Sequence, residues 1–582
     1  ECSTRKEPDS GDFLINYGSC AGRKNIPVGT VSLCNKLTQT VDGRTFYPDI
    51  LYRHPFGEAE LYSFPTVQDQ KSFQQFLNKD AGAGNGEKGI LVDMEAAAIY
   101  QAGNYYYAPH QMLFLKVVTD HGTTQEPQSA GSGEHFSQIM DRAAEEVLTF
   151  IRQLLTMQEK NSRQESMQEA FRSQVEEQAK LWQEALHGSE TMKAQIRQMI
   201  LYHSLCEEKE ASGMQTMSGW YREYEQAGRQ KTNGKERGFL KNLEHVCYNT
   251  RFSHIYVERR IRNHPRTEQI LLRFPQAQIV EIEHYKDVFN RHGQDGVRQH
   301  QAQALILAEK TDHFFYEGAP VCQDFGNTNF YYCSTMMNCI YDCSYCYLKG
   351  MYPSGHMVLF VNIEDYLEEL DHILKTQNMY VCISYDADLL AMEAVTGYVR
   401  LWSAYAAKHE NLKLEIRTKC AGHAMWDLPC LSNVIYAFTL SPQKMIDAFE
   451  KETPSAQVRI VCAAEGLKKG FPVRLCFDPM LYLPSWKTDY LQLLSQIDRI
   501  FGERMLHDGW EKLVDVSVGT FRISQEYMKK LRRVEPFAPA VQYPYVNCNG
   551  VYQYPPELLK KMESFMITEL TQRMDKENIY HE

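Results

Sequence analysis

The 582-residue sequence lacks the features of a membrane protein or a small secreted protein. It has no run of about 18 uncharged apolar residues, so no membrane span is expected. No secretory signal is visible. The 16 cysteines are scattered rather than set in a compact disulfide framework. These absences predict a cytoplasmic protein in reducing surroundings.

An excess of basic residues is also missing. The formal net charge is −12, and residues 251–582 contain 36 Lys and Arg against 41 Asp and Glu. Because phosphate neutralisation dominates affinity for nucleic acids, this charge argues against a general nucleic-acid binder. The composition still allows a local basic groove, although no clear basic cluster is present.

The texture of the sequence predicts three regions. Residues 1–156 alternate short apolar strands with helical runs. Residues 157–250 are rich in Gln, Glu, Lys, Arg and Met with helical periodicity, which predicts a helical linker, either a small bundle or a solvated arm. Residues 251–582 return to alternation, with strand candidates at 380–383, 412–417, 434–439 and 473–477. Strands followed by helices are typical of parallel βα units, so the predicted fold class is α/β.

Three closely spaced cysteines are the most specific feature. Cys339, Cys343 and Cys346 have the spacing C-x3-C-x2-C on a predicted loop between strands at 327–332 and 358–361. Three thiolates can hold three irons of a cubane cluster and leave the fourth iron open, where a structural cluster normally has a fourth cysteine. An open iron can bind S-adenosyl-L-methionine, whose reductive cleavage gives a 5′-deoxyadenosyl radical. The spacing therefore predicts a radical enzyme with a [4Fe-4S] cluster.

A zinc site is the alternative interpretation of the triplet. Structural zinc takes four ligands, usually as paired C-x2-4-C units. Cys322 and Cys333 lie upstream, so the number of cysteines allows zinc, but they do not form a second C-x2-C pair. Buried thiols without a ligand role are a third interpretation.

The segment around the triplet carries further specific residues. Tyr-Cys-Tyr-Leu occupies 345–348, and Val-Asn-Ile-Glu-Asp occupies 361–365. The segment resembles the spore photoproduct lyase family of radical S-adenosylmethionine proteins, and the resemblance extends from about residue 253 to the C-terminus. It implies a partial (β/α) TIM-like barrel and a lyase that repairs a methylene-bridged thymine dimer in DNA. It also implies an electron donor such as flavodoxin or ferredoxin.

The same resemblance implies roles for individual residues. Cys382 matches the hydrogen-donor cysteine of the family, and a thiol suits this task because its S–H bond is weaker than the C–H bonds involved. Tyr345 and Tyr347 flank the last cysteine and match a hydrogen-atom relay. Core packing is the alternative for all three. The resemblance also implies four cofactor-binding residues, Ser384, Asp386, Lys419 and Ser441. The alternative for each of them is a loop residue or a helix cap.

Two departures from the family pattern concern the cofactor and the substrate. The spacing around Asp386 differs from the usual one, so Asp388 is a rival. Residues 543–552 predict a hairpin with an Asn-Gly turn, which family members use as a wedge into opened DNA. The basic residue of that hairpin is missing, and Val546 or Asn547 takes its place. This favours the alternative of a radical enzyme acting on another nucleotide or a peptide, while a non-catalytic iron–sulfur binding module is a further alternative.

Three segments of the N-terminal region form a second pattern. Residues 13–22 predict a buried strand that ends in a small-residue turn, residues 92–98 open a helix, and residues 115–120 predict a strand ending in a carboxylate. In this order they resemble the superfamily of purine nucleoside phosphorylases and methylthioadenosine/adenosylhomocysteine nucleosidases.

The second resemblance implies a nucleoside site. Glu95 would accept hydrogen bonds from ribose hydroxyls, Met94 would pack under the sugar, and Asp120 would bind the purine and help to protonate the leaving base. The alternative is that Glu95 supports a helix N-terminus and Asp120 caps the segment that follows it. Because the first strand and glycine-rich turn of the family would precede residue 13, we expect an N-terminally truncated domain without glycosidase activity.

Overall fold

A computed structural model describes residues 12–67, 71–72, 75–76, 89–122, 132–185, 189–211, 248–318, 322–504 and 507–581. These residues form a mixed α/β protein. The N-terminal strands are β1 Leu14–Gly22, β2 Val31–Gln39, β3 Thr45–Phe46, β4 Gly57–Ser63, β5 Ile90–Asp93 and β6 Met112–Asp120. The first helices are α1 Ala96–Gly103, α2 Ser132–Ala185 and α3 Glu190–Ala211.

The N-terminal strands close into a small barrel. Their order is β3-β2-β4-β5-β1-β6, and β2 also pairs with β6, so five strands form a ring. The strands predicted at 13–22 and 115–120 are confirmed as β1 and part of β6, and the predicted helix begins at Ala96. Alternating apolar side chains of β2 and β6 face the start of α2, where Val147 and Phe150 complete the core.

The helices that follow match the predicted helical region in its described parts. Helix α2 runs through residue 156 without a break and is followed by α3. Residues 212–247 of the predicted linker lie outside the described residues. Among the described helices, none is both long and apolar enough to cross a membrane.

The C-terminal region contains the remaining strands and helices. The strands are β7 His254–Glu258, β8 Gln278–Ile282, β9 Leu305–Ala308, β10 Phe315–Glu317, β11 Phe330–Cys333, β12 Met336–Met337, β13 Asp342–Cys343, β14 Met357–Phe360, β15 Met379–Cys382, β16 Leu412–Thr418, β17 Val434–Thr439, β18 Glu450–Lys451, β19 Val473–Met480, β20 Val516–Thr520, β21 Arg522–Ser524, β22 Val546–Cys548, β23 Val551–Gln553 and β24 Ile579–His581. The α-helices are α4 Pro265–Leu271, α5 Lys286–Phe289, α6 Gly296–Gln301, α7 Leu348–Met351, α8 Ile363–Ile373, α9 Glu393–Thr396, α10 Tyr398–Ala406, α11 Gln443–Phe449, α12 Ala456–Lys468, α13 Trp486–Glu503, α14 Gln525–Val534, α15 Pro539–Gln542 and α16 Pro556–Leu570.

Two largely parallel sheets organise this region. The larger has the order β10-β11-β15-β16-β17-β19-β20-β24, and its strands from β11 to β24 run parallel. The smaller has the order β12-β14-β9-β7-β8. Both contribute to one apolar core. Strand β17 is buried at every position, as expected where helices cover both faces of a parallel sheet.

The four predicted strands that follow the triplet are confirmed as neighbouring parallel strands β15, β16, β17 and β19. The strands predicted on either side of the cysteines are also present, as β11 and β14. However, β14 belongs to the smaller sheet, and the next strand of the larger sheet is β15. Strands β14 and β15 are both short apolar runs, and the sequence of such a run does not indicate which sheet it joins.

Candidate functional site

The three cysteines lie on the loop between β11 and α7, residues 334–347, which we call the cysteine loop. Its centre is fixed to the end of α11 and the strand that follows it, because β13 and β18 form a two-stranded antiparallel sheet and the Ser344 amide donates to the Phe449 carbonyl at 2.8 Å. Cys343 is buried, and Cys339 and Cys346 are partly exposed beside a cavity of about 330 Å³.

The thiols of the triplet lie within electrostatic range of one another. Burial raises the pKa of Cys339 to about 12 and also raises the pKa of Cys343 and Cys346, while Lys419 acts in the opposite direction on the latter two. Each of the other two thiols further raises the pKa of Cys343. Because iron binds thiolates, loading this loop must release protons.

A single structural metal ion needs several ligands that converge on one position. Within the described ranges, no three His, Cys, Asp or Glu side chains converge on a position for one metal ion. A cubane does not need such convergence, because each of its irons takes its own cysteine. Of the other two cysteines in the zinc interpretation, Cys333 is buried on β11 near Cys382, and the Cys322 Sγ lies 3.4 Å from the Tyr385 hydroxyl.

A buried carboxylate organises the far side of the cysteine loop. Glu450 accepts hydrogen bonds from Tyr345 at 2.5 Å and Ser441 at 2.9 Å, and Arg459 pairs with its other oxygen at 2.6 Å. Both members of this ion pair have fully buried side chains. Burial alone would raise the pKa of Glu450, but Lys419 and Arg459 lower it. The hydroxyls of Tyr345 and Ser441 are therefore engaged in holding the loop.

Lys419 lies directly after β16 and beside the cysteine loop. Its Nζ is 5.4 Å from the centre of the Tyr345 ring. Burial alone would lower the pKa of Lys419, but Cys343 and Glu450 raise it, so the side chain is a cation. The structure thus brings Lys419, Ser441 and the triplet together at the carboxyl ends of β16 and β17, where ligands bind in parallel α/β sheets.

Ser384 and Asp386 follow the carboxyl end of β15. The Ser384 hydroxyl donates to the Arg417 carbonyl at 2.8 Å. Asp386 is buried, and one of its oxygens accepts a hydrogen bond from Ser334. Its other oxygen, Oδ1, has no donor at bonding distance among the residues that the structure describes. Burial raises the pKa of Asp386, while Ser334, Tyr352 and Tyr347 act in the opposite direction. The open oxygen can accept a hydrogen bond from one of these tyrosines or from a ligand.

The rival carboxylate is engaged in backbone contacts. Asp388 accepts hydrogen bonds from Thr418 Oγ1 at 2.7 Å and from the amides of Lys419 at 2.7 Å, Ala391 at 3.1 Å and Cys420 at 3.2 Å. These bonds tie the end of β16 to the segment after β15. Asp388 therefore fixes the backbone on which Lys419 sits.

Cys382 is the last residue of β15 and is buried. It lies opposite Tyr332 on one neighbouring strand and Glu415 on the other. Burial raises the pKa of Cys382 above its ordinary value. The side chain is therefore a thiol with its hydrogen in place, the form that hydrogen-atom donation requires.

A group of tyrosines lies next to this strand. The rings of Tyr332 and Tyr385 stack with centroids 4.1 Å apart, and Tyr385 and Tyr347 are 6.0 Å apart. The Tyr347 hydroxyl donates to the Tyr385 carbonyl at 2.8 Å. From the sequence, Cys322 was considered only for a zinc site, and neither Tyr332 nor Tyr385 was singled out, although Tyr385 follows the Cys382 strand.

The N-terminal candidates make contacts with neighbouring residues in this structure. Glu95 contacts Lys116 Nζ at 3.1 Å and Asn16 at 3.2 Å, bonds that lower its pKa. Met94 is exposed. Asp120 accepts a hydrogen bond from the Gly122 amide at 2.7 Å, as a turn cap does. It is four residues along β6 from Lys116, or about 13 Å at strand rise.

We expect no release of adenine when this chain is incubated with methylthioadenosine, because Glu95 is held by a lysine and Asp120 by its own turn. The measurement is chromatography for free adenine, with a catalytically active nucleosidase as the positive control. Adenine release above the no-protein background would contradict the expectation that the N-terminal region lacks glycosidase activity.

Comparison with solved structures gives matches to both regions. A mutant spore photoproduct lyase with bound AdoMet and dinucleoside spore photoproduct is 17% identical, with a TM-score of 0.48 over 57% of this chain and 98% of that one. A spore photoproduct lyase complexed with dinucleoside spore photoproduct is 15% identical, with a TM-score of 0.48 over the same shares. MTAN from Chlamydia trachomatis is 18% identical, with a TM-score of 0.20 over 25% of this chain and 66% of that one.

Comparison by sequence matches the C-terminal region. The spore photoproduct lyase of Clostridium acetobutylicum is 23% identical over 175 residues, which are 29% of this chain and 52% of that protein. The chain therefore spans about half the length of this curated relative. Residues 252–527, which include the whole cysteine loop, match the family model described as spore photoproduct lyase.

Proposed function

We propose that the C-terminal region, residues 251–582, is a radical S-adenosylmethionine lyase of the spore photoproduct lyase type, with residues 1–156 and 157–250 as a nucleosidase-like domain and a helical linker. The observation that carries the proposal is the match of residues 252–527 to that family model with the C-x3-C-x2-C triplet inside it. The eight-stranded sheet, whose seven strands from β11 to β24 run parallel, supports a partial (β/α) TIM-like barrel.

The residues of the cysteine loop fit a [4Fe-4S] cluster. Cys339, Cys343 and Cys346 supply three thiol ligands and leave one iron without a cysteine. When bound, the cluster and S-adenosyl-L-methionine supply a 5′-deoxyadenosyl radical that takes hydrogen from carbon. Lys419 offers a cation for the cofactor carboxylate, and the open Oδ1 of Asp386 offers an acceptor for a donor group. Ser384 and Ser441 keep lone pairs that can accept further hydrogen bonds.

Cys382 returns the hydrogen atom in this proposal. Its thiol is buried at the carboxyl end of β15, the edge on which Lys419 lies. Tyr347 lies on the cysteine loop, and its hydroxyl donates to the Tyr385 carbonyl. Because this bond links the loop to the segment after β15, Tyr347 is the candidate for relaying the hydrogen atom. The Tyr345 hydroxyl donates to Glu450, so its main role in this proposal is to orient the cysteine loop.

We expect the Cys382→Ala variant to separate the two halves of the reaction. Formation of 5′-deoxyadenosine should continue, while repaired dinucleotide falls at least about tenfold, which corresponds to a barrier raised by about 1.4 kcal/mol. Chromatography with mass detection measures both products. Cys476→Ala is the matched control, because Cys476 is a buried thiol on parallel strand β19. Equal repair by both variants would remove Cys382 from the mechanism.

The substrate proposed first is a thymine dimer in DNA. A different nucleotide or a peptide is the second candidate, favoured by the net charge and by a hairpin, β22–β23, without a basic residue. The turn itself is confirmed, because Asn549 and Gly550 both have positive φ. Incubation with a synthetic dinucleoside photoproduct separates the two: thymidine formation supports repair, and 5′-deoxyadenosine without repair supports the second candidate.

A further inference from the structure

One buried carboxylate of the N-terminal region reaches towards the cysteine loop. Asp49 is 1% exposed and forms an ion pair with Arg291. Its Oδ2 accepts a hydrogen bond from Gln299 at 2.7 Å, and its Oδ1 lies 3.3 Å from His356 Nε2. Burial alone would raise the pKa of Asp49, but Arg291 and these hydrogen bonds hold it well below its ordinary value. The group is therefore a carboxylate that only accepts hydrogen bonds.

The charge of Asp49 helps to fix the orientation of the Gln299 amide, whose NH₂ group also donates to Gln294 Oε1 at 2.9 Å. Because the carboxylate can only accept, the NH₂ group of Gln299 must face it. The amide oxygen then faces the opposite way, where it accepts bonds from the Ser354 hydroxyl at 3.0 Å and the Gly355 amide at 2.8 Å. Gln299 is fully buried, so a reversed amide would leave these donors unpaired.

His356 makes a second contact between Asp49 and residues 354–356. His356 Nδ1 accepts a hydrogen bond from the Ala304 amide at 3.1 Å, which assigns the ring proton to Nε2, the nitrogen that faces Asp49. Burial lowers the pKa of His356, so the ring is neutral. Asp49 thus holds both ends of residues 354–356, which we call the clamp segment.

The clamp segment in turn holds the first cysteine. Asn338 donates to two carbonyls of the clamp segment, at 2.6 and 2.7 Å. Gln303 donates to a third at 2.8 Å and to the carbonyl of Cys339 at 3.1 Å. Asn338 has a φ of +68°, so this contact also maintains the left-handed turn that leads into Cys339.

We propose that Asp49 is a positioning residue for Cys339, so that the N-terminal region is a working part of the cysteine-loop site. The connection runs from Asp49 through Gln299 and the clamp segment to Asn338 by buried hydrogen bonds, and Asn338 is joined to Cys339 by a peptide bond. What Cys339 binds rests on the function proposed above, but the connection itself is testable in protein without iron.

The test uses two variants of the full-length chain. Asp49→Asn removes the charge that orients Gln299, and Gln299→Met cuts the connection while leaving the Asp49–Arg291 ion pair in place. Glu58→Gln is the matched control. Glu58 is another N-terminal carboxylate, with a side chain 6% exposed. It lies 2.9 Å from His254 in the C-terminal region, and none of its hydrogen bonds within the described residues reaches the clamp segment.

Three readouts follow the connection. Hydrogen exchange of the Gly355 amide and alkylation of the Cys339 thiol are measured in iron-free protein, and the cluster midpoint potential is measured after reconstitution. We expect Gly355 exchange and Cys339 alkylation to rise at least about tenfold in Asp49→Asn and Gln299→Met, which equals about 1.4 kcal/mol, with a shifted potential. The Glu58→Gln variant should match wild type in all three.

Exchange and alkylation within about twofold of wild type, a difference below about 0.5 kcal/mol, in both connection variants would overturn the proposal. Faster exchange and alkylation in Glu58→Gln as well would also overturn it, because general loosening would then explain the effect. A wild-type chain that binds no cluster would refute the proposed function instead, and the two iron-free readouts would still decide the role of Asp49.

Discussion

Replacing Cys343 by alanine is expected to reduce formation of 5′-deoxyadenosine to background and to lower iron bound per chain. Cys343 is the buried, central member of the triplet, and the pairing of β13 with β18 fixes its backbone. The measurement is iron analysis, ultraviolet–visible absorption and mass detection of 5′-deoxyadenosine after anaerobic reconstitution.

Cys430→Ala is the control for this prediction. Cys430 is an exposed cysteine outside the cysteine loop, so its loss should change neither iron content nor cofactor cleavage. A Cys343→Ala protein that still cleaves S-adenosylmethionine at the wild-type rate would show that the triplet does not hold the reactive cluster.

Replacing Glu450 by alanine is expected to lower the free energy of unfolding by about 3–5 kcal/mol, the cost of leaving a buried charge unpaired. The Arg459 side chain would remain fully buried without its carboxylate, and the hydroxyls of Tyr345 and Ser441 would lose their acceptor. The loop that carries the triplet would loosen with them. Urea unfolding followed by circular dichroism measures the change.

Two variants interpret the Glu450 result. Glu450→Gln keeps an acceptor oxygen for Tyr345 and should lose less stability than the alanine variant. Glu526→Ala removes an exposed carboxylate that pairs with Lys530 at 3.2 Å and should cost less than about 0.5 kcal/mol. If Glu450→Ala unfolds at the same urea concentration as Glu526→Ala, the buried ion pair does not hold this part of the fold.

The parts of the fold that were predicted correctly have local signals. Strands β15, β16, β17 and β19 are short apolar runs followed by helices, and this alternation alone indicates a parallel sheet. The placement of β14 in a second sheet was not predictable in the same way. Which sheet a buried strand joins is decided by packing with segments far away in the chain, here β9, whose Leu305 pairs with Met357.

The candidate site shows the same difference between local signals and contacts made by residues far apart in the sequence. The cysteine triplet was proposed because its spacing is local, and Lys419 and Ser441 were proposed because they follow strands and match positions of the family. Glu450 was missed because it lies 105 residues from Tyr345, and no sequence pattern links them. The carboxylate pair after β15 also needed the structure: Asp388 is engaged by backbone amides, whereas Asp386 keeps an open oxygen.

The most direct test of the assignment of the cysteine loop is mass analysis for 5′-deoxyadenosine. The reconstituted wild-type chain is reduced under anaerobic conditions in the presence of S-adenosylmethionine, and the products are analysed. The account predicts iron–sulfur absorption and reductant-dependent 5′-deoxyadenosine, both lost in Cys343→Ala. A reconstituted chain that binds no iron–sulfur cluster, or binds one and forms no 5′-deoxyadenosine, would contradict it.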